Sequence, residues 1–148
     1  MKDKINIAYY NRAKRRQAEP VIAKTARILG LSPTPVFDRV SVRRGHAMPH
    51  KNRFSIPLWA TINKDYFDHY VIHETIHCLK TTRSHCKRFR LAEEVVNREF
   101  GFELLYSIGN TQDFPYPYEI YRNDSLIYSK PLAIEYTQKA AKLKQRLS

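Results

Sequence analysis

Tyr66-Phe67-Asp68-His69-Tyr70-Val71-Ile72-His73-Glu74-Thr75-Ile76-His77-Cys78-Leu79 contains neither proline nor glycine, and His73 to His77 reads H-E-x-x-H. Phe67, Val71 or Tyr70, and Ile76 with Leu79 recur at about helical spacing, so the stretch is expected to form an α-helix. Thr61 or Asn63 can cap its start, and Asp65 falls in the first turn, where the helix dipole favours an anion. On such a helix residues four apart stack on one face, so His73 and His77 aim two imidazoles at one point. Glu74, one residue on, can reach a water at that point without ligating an ion itself. Zinc suits the pattern, because it accepts three protein ligands, keeps a fourth position open and lowers the pKa of a bound water to about 7. The chemistry expected is hydrolysis, with Glu74 as general base towards water and then as proton donor to the leaving amine. The plain alternative is an ordinary amphipathic helix whose histidines are surface or core residues.

A third protein ligand has to come from elsewhere. The long form of the motif, with Gly three residues after the second His and another His six after it, is ruled out because Lys80 and Arg83 stand at those places. His85 remains, as does a carboxylate from the following helix, Glu93 or Glu94, and metal chemistry permits either. His69 is a rival one turn before His73. Three histidines in a row on a straight helix cannot converge on one ion, so His69 is expected behind the ligands or at the surface.

His85 is followed by Cys86-Lys87-Arg88-Phe89, so the whole pattern is H-E-x-x-H-x(7)-H-x-x-x-F. In this the chain resembles the SprT-like metalloproteases, relatives of the Spartan protease, over roughly residues 54 to 101. The resemblance implies His73, His77 and His85 as ligands of Zn2+, Glu74 as the base, a protein or peptide substrate, and action near nucleic acid. It also implies that the strand before the site helix, at Phe54, Ser55 and Ile56, pairs with an extended substrate by strand addition. The chain departs from the family at Cys86, where Gly is usual. It also lacks the four-cysteine zinc ribbon that often follows in the family, since Cys78 and Cys86 are its only cysteines.

The 148 residues suit a single domain, and a hydrophobic fraction of 43% fits a folded protein. Without a membrane-length apolar run or a secretory leader, the chain is expected to be intracellular. Two cysteines, eight residues apart, make neither a disulfide framework nor a zinc finger. The net charge of +12 is uneven. Lys2, Lys4, Arg12, Lys14, Arg15, Arg16, Lys24, Arg27, Arg39, Arg43 and Arg44 are opposed in the first third only by Asp3, Glu19 and Asp38. Such a field attracts DNA or RNA, with Arg12, Lys14, Arg15 and Arg16 as the densest candidate phosphate contacts; a merely solvated basic face is the alternative.

Residues 1–19 form a basic segment of mixed helical character, and Pro20 is expected to open a fresh helix that stops at Gly30. Val36 to Arg43 alternates as a strand should, and Gly45 to Asn52 reads as a loop in which His46 and His50 are polar residues, with contact to a substrate as the alternative. Arg53 to Trp59 alternates again, and Pro57 argues for a strand at the sheet edge. Ser84 is the expected cap of a helix from Cys86 to Phe100, with an apolar stripe of Phe89, Leu91 or Ala92, Val95, Val96 and Phe100 and a stop at Gly101. Phe102 to Tyr106 suits a short strand, 118–129 a hairpin turning at Asn123-Asp124, and 131–147 a C-terminal helix opened by Pro131. Tyr106 or Tyr116 could stabilise an oxyanion. The fold class expected is α+β: a small, mainly antiparallel sheet on the site helix and a bracing helix, with flanking helices and the hairpin. Two other functions fit the motif, a basic nucleic-acid-binding module with structural zinc and a zinc hydrolase of a non-peptide substrate.

Overall fold

A computed structural model describes residues 3–41, 45–79, 85–106 and 119–148. In chain order the elements are α1 (Ile7–Leu29), β1 (Val36–Ser41), β2 (His46–Met48), β3 (Arg53–Pro57), α2 (Lys64–His77), α3 (Lys87–Glu99), β4 (Phe102–Leu105), β5 (Glu119–Arg122), β6 (Ser125–Ser129) and α4 (Lys130–Arg146). The fold is α+β, and among the described residues three of the four strand pairings are antiparallel. The strands divide into two three-stranded sheets, ordered β1-β3-β2 and β4-β5-β6.

The site helix α2 is the centre of the molecule. Asn63 caps it by accepting from the Tyr66 N–H at 2.9 Å, and every residue from Tyr66 to His77 is buried. A helix buried on all sides carries no solvent face, which excludes the ordinary amphipathic surface helix. On one side Phe67 meets Phe37 of β1 edge-on, and Phe37 in turn meets Phe54 of β3. On another, Tyr66 stacks against Tyr128 of β6 with centroids 4.3 Å apart, and against Trp59 at 5.5 Å. The two sheets thus grip one helix through aromatic contacts.

Helix α1 runs unbroken through Pro20, where a new helix start was expected. Proline inside a helix costs about 3 kcal/mol. Burying Val21 and Ile22, each worth roughly 1.5 to 3 kcal/mol, is enough to offset that. The expected stop holds: Gly30 closes the helix at φ 65°, and its neighbour Leu31 donates back to the Ala26 carbonyl.

The stretch expected to be a loop contains β2, paired antiparallel to β3 at His46 with Ser55, Ala47 with Phe54 and Met48 with Arg53. A 3-10 turn, Pro49–Lys51, follows it. Three residues are too few for alternation to register as a strand in the sequence. The pairing also corrects the position of β3, which lies between β1 and β2 and is no edge. Pro57 pairs with Ser41 of β1, and among the described residues the β2 ladder reaches only Ser55. Strand β1, expected over Val36 to Arg43, is described over Val36–Ser41, and the rest of the expected span, with Arg43 and Arg44, lies outside the described residues.

Helix α3 also differs from its expected stripe. Leu91 and Val95 are about half exposed, at 51% and 48%, while Glu93 and Asn97 are wholly buried beside Phe89 and Val96. Its N-cap is Cys86, with Ser84 outside the described residues. The hairpin forms as expected, with Asn123 and Asp124 both at positive φ as a type I′ turn requires. Ser129 caps α4 with Pro131 in its first turn, and a bridge between Ile5 and Leu147 joins the two ends of the chain. No described helix is long and apolar enough to cross a membrane.

Candidate metal centre

His73 and His77 sit on the last two turns of α2, and His85 lies just ahead of α3. Their Nε2 atoms converge: His73 to His77 is 3.2 Å, His77 to His85 2.9 Å, and His73 to His85 3.3 Å. Nitrogens bound tetrahedrally at the usual zinc distance stand roughly 3.3 to 3.4 Å apart. The triangle therefore has nearly the size of one face of a metal tetrahedron, and the three side chains could hold one ion.

The chemistry of the donors agrees with that geometry. His73 Nδ1 lies 2.7 Å from Glu93 Oε2, and donation of its N–H to that oxygen leaves Nε2 with a lone pair directed at the other two rings. Burial holds the His73 imidazole well below its ordinary pKa, with His85 adding to the effect; burial also lowers His85, with Glu93 opposing. Neutral imidazole is the form that ligates. Phe89 is wholly buried beneath all three rings, with centroids 4.7 Å from His73, 4.5 Å from His77 and 5.1 Å from His85. The aromatic residue four places after the third histidine is thus the floor of the centre.

The packing of α2 on α3 is a ladder. Two antiparallel helices put residues four apart on α2 against residues four apart on α3, and the rungs are His69 with Asn97, His73 with Glu93, and His77 with Phe89. His69 Nδ1 is 2.8 Å from Asn97 Oδ1, so the rival histidine is a buried structural residue behind the ligands. Glu93 hydrogen-bonds to a ligand and stands outside the triangle of converging nitrogens, while Glu94 lines a separate cavity with Arg98, Phe102, Glu103 and Leu104.

Glu74 is 5% exposed and opens onto a cleft of about 400 Å³, lined by Gly45, His46, Ala47, Pro49, His50, Glu74 and His77. Burial pushes the Glu74 carboxyl up to about 8. A cation at the adjacent triangle would draw it back towards the ionised form. The cleft wall is β2 with the turn after it. At Gly45 a Cβ would lie 2.8 Å from Pro57 Cδ and 3.0 Å from the Tyr70 hydroxyl, so the backbone approaches as closely as glycine allows. His46 and His50, read from the sequence as loop residues, both face this cleft, and only the pairing of β2 brings them there.

Other sequence candidates fall elsewhere. Phe54 and Ile56 are wholly buried in the middle strand, and Ser55 reaches back to the His46 carbonyl, so none of the three offers a free edge. Of the basic cluster, Arg12 and Arg16 are exposed on α1. Arg15 is turned inward, donating to the Phe37 and Asp38 carbonyls at 3.3 and 2.9 Å. Lys14 is half buried over the Tyr10 and Phe67 rings, and burial lowers its ammonium pKa with Asp68 opposing. The Tyr106 hydroxyl donates to Glu93 Oε1 at 3.0 Å, whereas Tyr116 lies outside the described residues. Cys78 is buried, and burial pushes its thiol up to about 12, which suits a packed residue and not a ligand. Comparisons with family models, with curated proteins and with solved structures found no match.

Proposed function

We propose that this protein is a zinc-dependent metallopeptidase of the SprT-like kind, with His73, His77 and His85 holding the ion and Glu74 as general base. The observation that carries the reading is the meeting of three imidazole nitrogens, all within 3.3 Å of one another, with the buried Glu74 lining the same cleft as His77. Zinc held there would supply a Lewis acid and lower the pKa of a coordinated water to about 7. Glu74 takes a proton from water in the cleft and returns it to the departing amine; it is 5% exposed and lines that cleft with His77. A purely structural zinc has four protein ligands and no need of a base, whereas the described residues bring together three histidines, one of which lines a cleft with Glu74.

The strand that receives an extended peptide is β2 in this reading. Among the described residues it is the outer strand of its sheet, and it lines the cleft, which suits strand addition. The test is cleavage of casein, or of a basic protein bound to DNA, by the zinc-loaded protein. Cleavage is expected to stop with 1,10-phenanthroline and to resume with added zinc. Cleavage that continues in fully metal-stripped protein would sink the reading.

Action on nucleic-acid-associated proteins rests on the charge of α1, and the exposed members of its densest cluster are Arg12 and Arg16. Each phosphate contact adds about 0.9 to the slope of log affinity against log salt. Arg12→Gln with Arg16→Gln is expected to weaken binding to duplex DNA and to flatten that slope by about 1.8, read from filter binding across a salt series. Arg15→Gln acts on the fold instead, through the two β1 carbonyls it holds. An unchanged slope in the double variant would remove α1 from any nucleic-acid contact.

A further inference from the structure

Glu93 is wholly buried on α3, one helix away from the converging imidazoles, and a carboxylate so placed has two possible employments. It can join the ligands, or it can hold one of them in position. A buried carboxylate without partners is costly enough that its contacts show which employment it has. Its Oε2 lies 2.7 Å from His73 Nδ1, on the side of the ring opposite the converging nitrogens. Its Oε1 accepts from the Tyr106 hydroxyl at 3.0 Å. Its own backbone carbonyl accepts from Asn97 Nδ2 at 2.7 Å, and Asn97 Oδ1 engages His69 Nδ1 at 2.8 Å. Both carboxylate oxygens are therefore occupied away from the metal triangle, and the rung behind fixes the register of α3 on α2.

We propose that Glu93 is a positioning residue of the metal centre, which sets the tautomer and ring angle of His73, and that Tyr106 locks its carboxylate against swinging inward to become a fourth ligand. The proposal rests on the three-histidine metal reading. An N–H kept on Nδ1 leaves the Nε2 lone pair for the ion, and the carboxylate behind it makes that nitrogen a stronger donor. The lock has a consequence for chemistry. A fourth protein ligand would close the centre as a structural site, whereas a carboxylate held back leaves a position for water or substrate.

The experiment uses the full chain, stripped and reloaded. Zinc affinity is measured by competition with a chromogenic chelator, the visible absorption of the Co2+-substituted protein is recorded, and unfolding of the metal-free protein is followed in denaturant. Glu93→Gln is expected to weaken zinc binding by about 10- to 100-fold while the cobalt band keeps its position and intensity, because no ligand is lost. The metal-free unfolding midpoint should not fall in proportion. Tyr106→Phe, which frees the carboxylate to swing inward, is expected to alter zinc affinity by about two- to tenfold and to shift the cobalt band as a carboxylate enters the coordination. If Glu93→Gln does not fold, Tyr106→Phe carries the test alone. Affinities within twofold of the unsubstituted protein overturn the proposal, and so does a cobalt band that changes as it would on losing a ligand. If the unsubstituted protein takes up no zinc, the metal centre itself fails and this inference with it; if it takes up zinc and both variants match it, this inference alone fails.

Discussion

Replacing Glu74 with glutamine is expected to leave zinc binding intact and to lower kcat for peptide cleavage by about a hundred- to ten-thousand-fold, the usual contribution of a positioned general base. In barrier terms that is about 3 to 5 kcal/mol. The amide has nearly the carboxylate's shape, so the packing of a residue only 5% exposed is preserved. It cannot accept a proton from water at neutral pH, so the step that Glu74 performs is lost while the three imidazoles are untouched. KM should move little, because Glu74 acts on the attacking water and makes no lasting contact with the peptide. The measurement is steady-state cleavage of a quenched fluorescent peptide, alongside metal analysis of the same preparation. A Glu74→Gln protein with full zinc and undiminished turnover would exclude the peptidase mechanism and favour a role in which the ion only holds the chain together.

The parts of this molecule legible from sequence are those governed by neighbours in the chain. Asn63 before α2, Gly30 after α1, Pro131 at the head of α4 and the Asn123-Asp124 turn act through backbone geometry within a few residues, and each forms as its sequence implies. The pairing of His73 with His77 belongs to the same class, since both lie on one helix face; His85, just ahead of α3, is implied by the resemblance, with Glu93 and Glu94 open as alternatives. What the sequence hides depends on partners far along the chain. Strand β2 exists because β3 pairs with it, and once it exists β3 is no longer an edge. The loss of the edge moves the expected substrate strand from Phe54–Ile56 to the cleft wall and brings His46 and His50 to the site.

Helix α3 teaches the converse. Its apolar residues suggested one buried stripe, but the face turned to α2 carries Glu93 and Asn97 in line with Phe89, because His69 and His73 on the facing helix need acceptors. A signal was present: acidic and amide residues four apart, in register with a phenylalanine, opposite three histidines spaced four apart. Reading it requires the two helices to be antiparallel neighbours, and that is a fact of packing. Arg15 and Lys14 are similar, since a charge cluster on paper separates into inward and outward members once α1 lies against β1 and α2.

The metal should also be worth a substantial part of the stability of the fold, and His77→Ala measures it. The centre ties the last turn of α2 to His85 ahead of α3, so an ion that binds only the folded arrangement stabilises it by mass action. At free zinc a thousandfold above the dissociation constant the gain is about 4 kcal/mol. For a chain of this size that corresponds to roughly 8 to 16 °C between stripped and loaded protein. Removing His77 takes away one of the three converging imidazoles, whose Nε2 lies 3.2 Å from one partner and 2.9 Å from the other. Alanine does not weaken the helix that carried it, because its helix propensity is the highest of all residues. The quantity to compare is the shift between loaded and stripped protein, since the absolute melting temperature also records the space left by the imidazole. In His77→Ala that shift is expected to shrink to a few degrees at the same zinc concentration. A shift of equal size in both proteins would mean that zinc stabilises the chain from some other place, and the three histidines would then be packed side chains whose nitrogens meet for reasons unrelated to a metal.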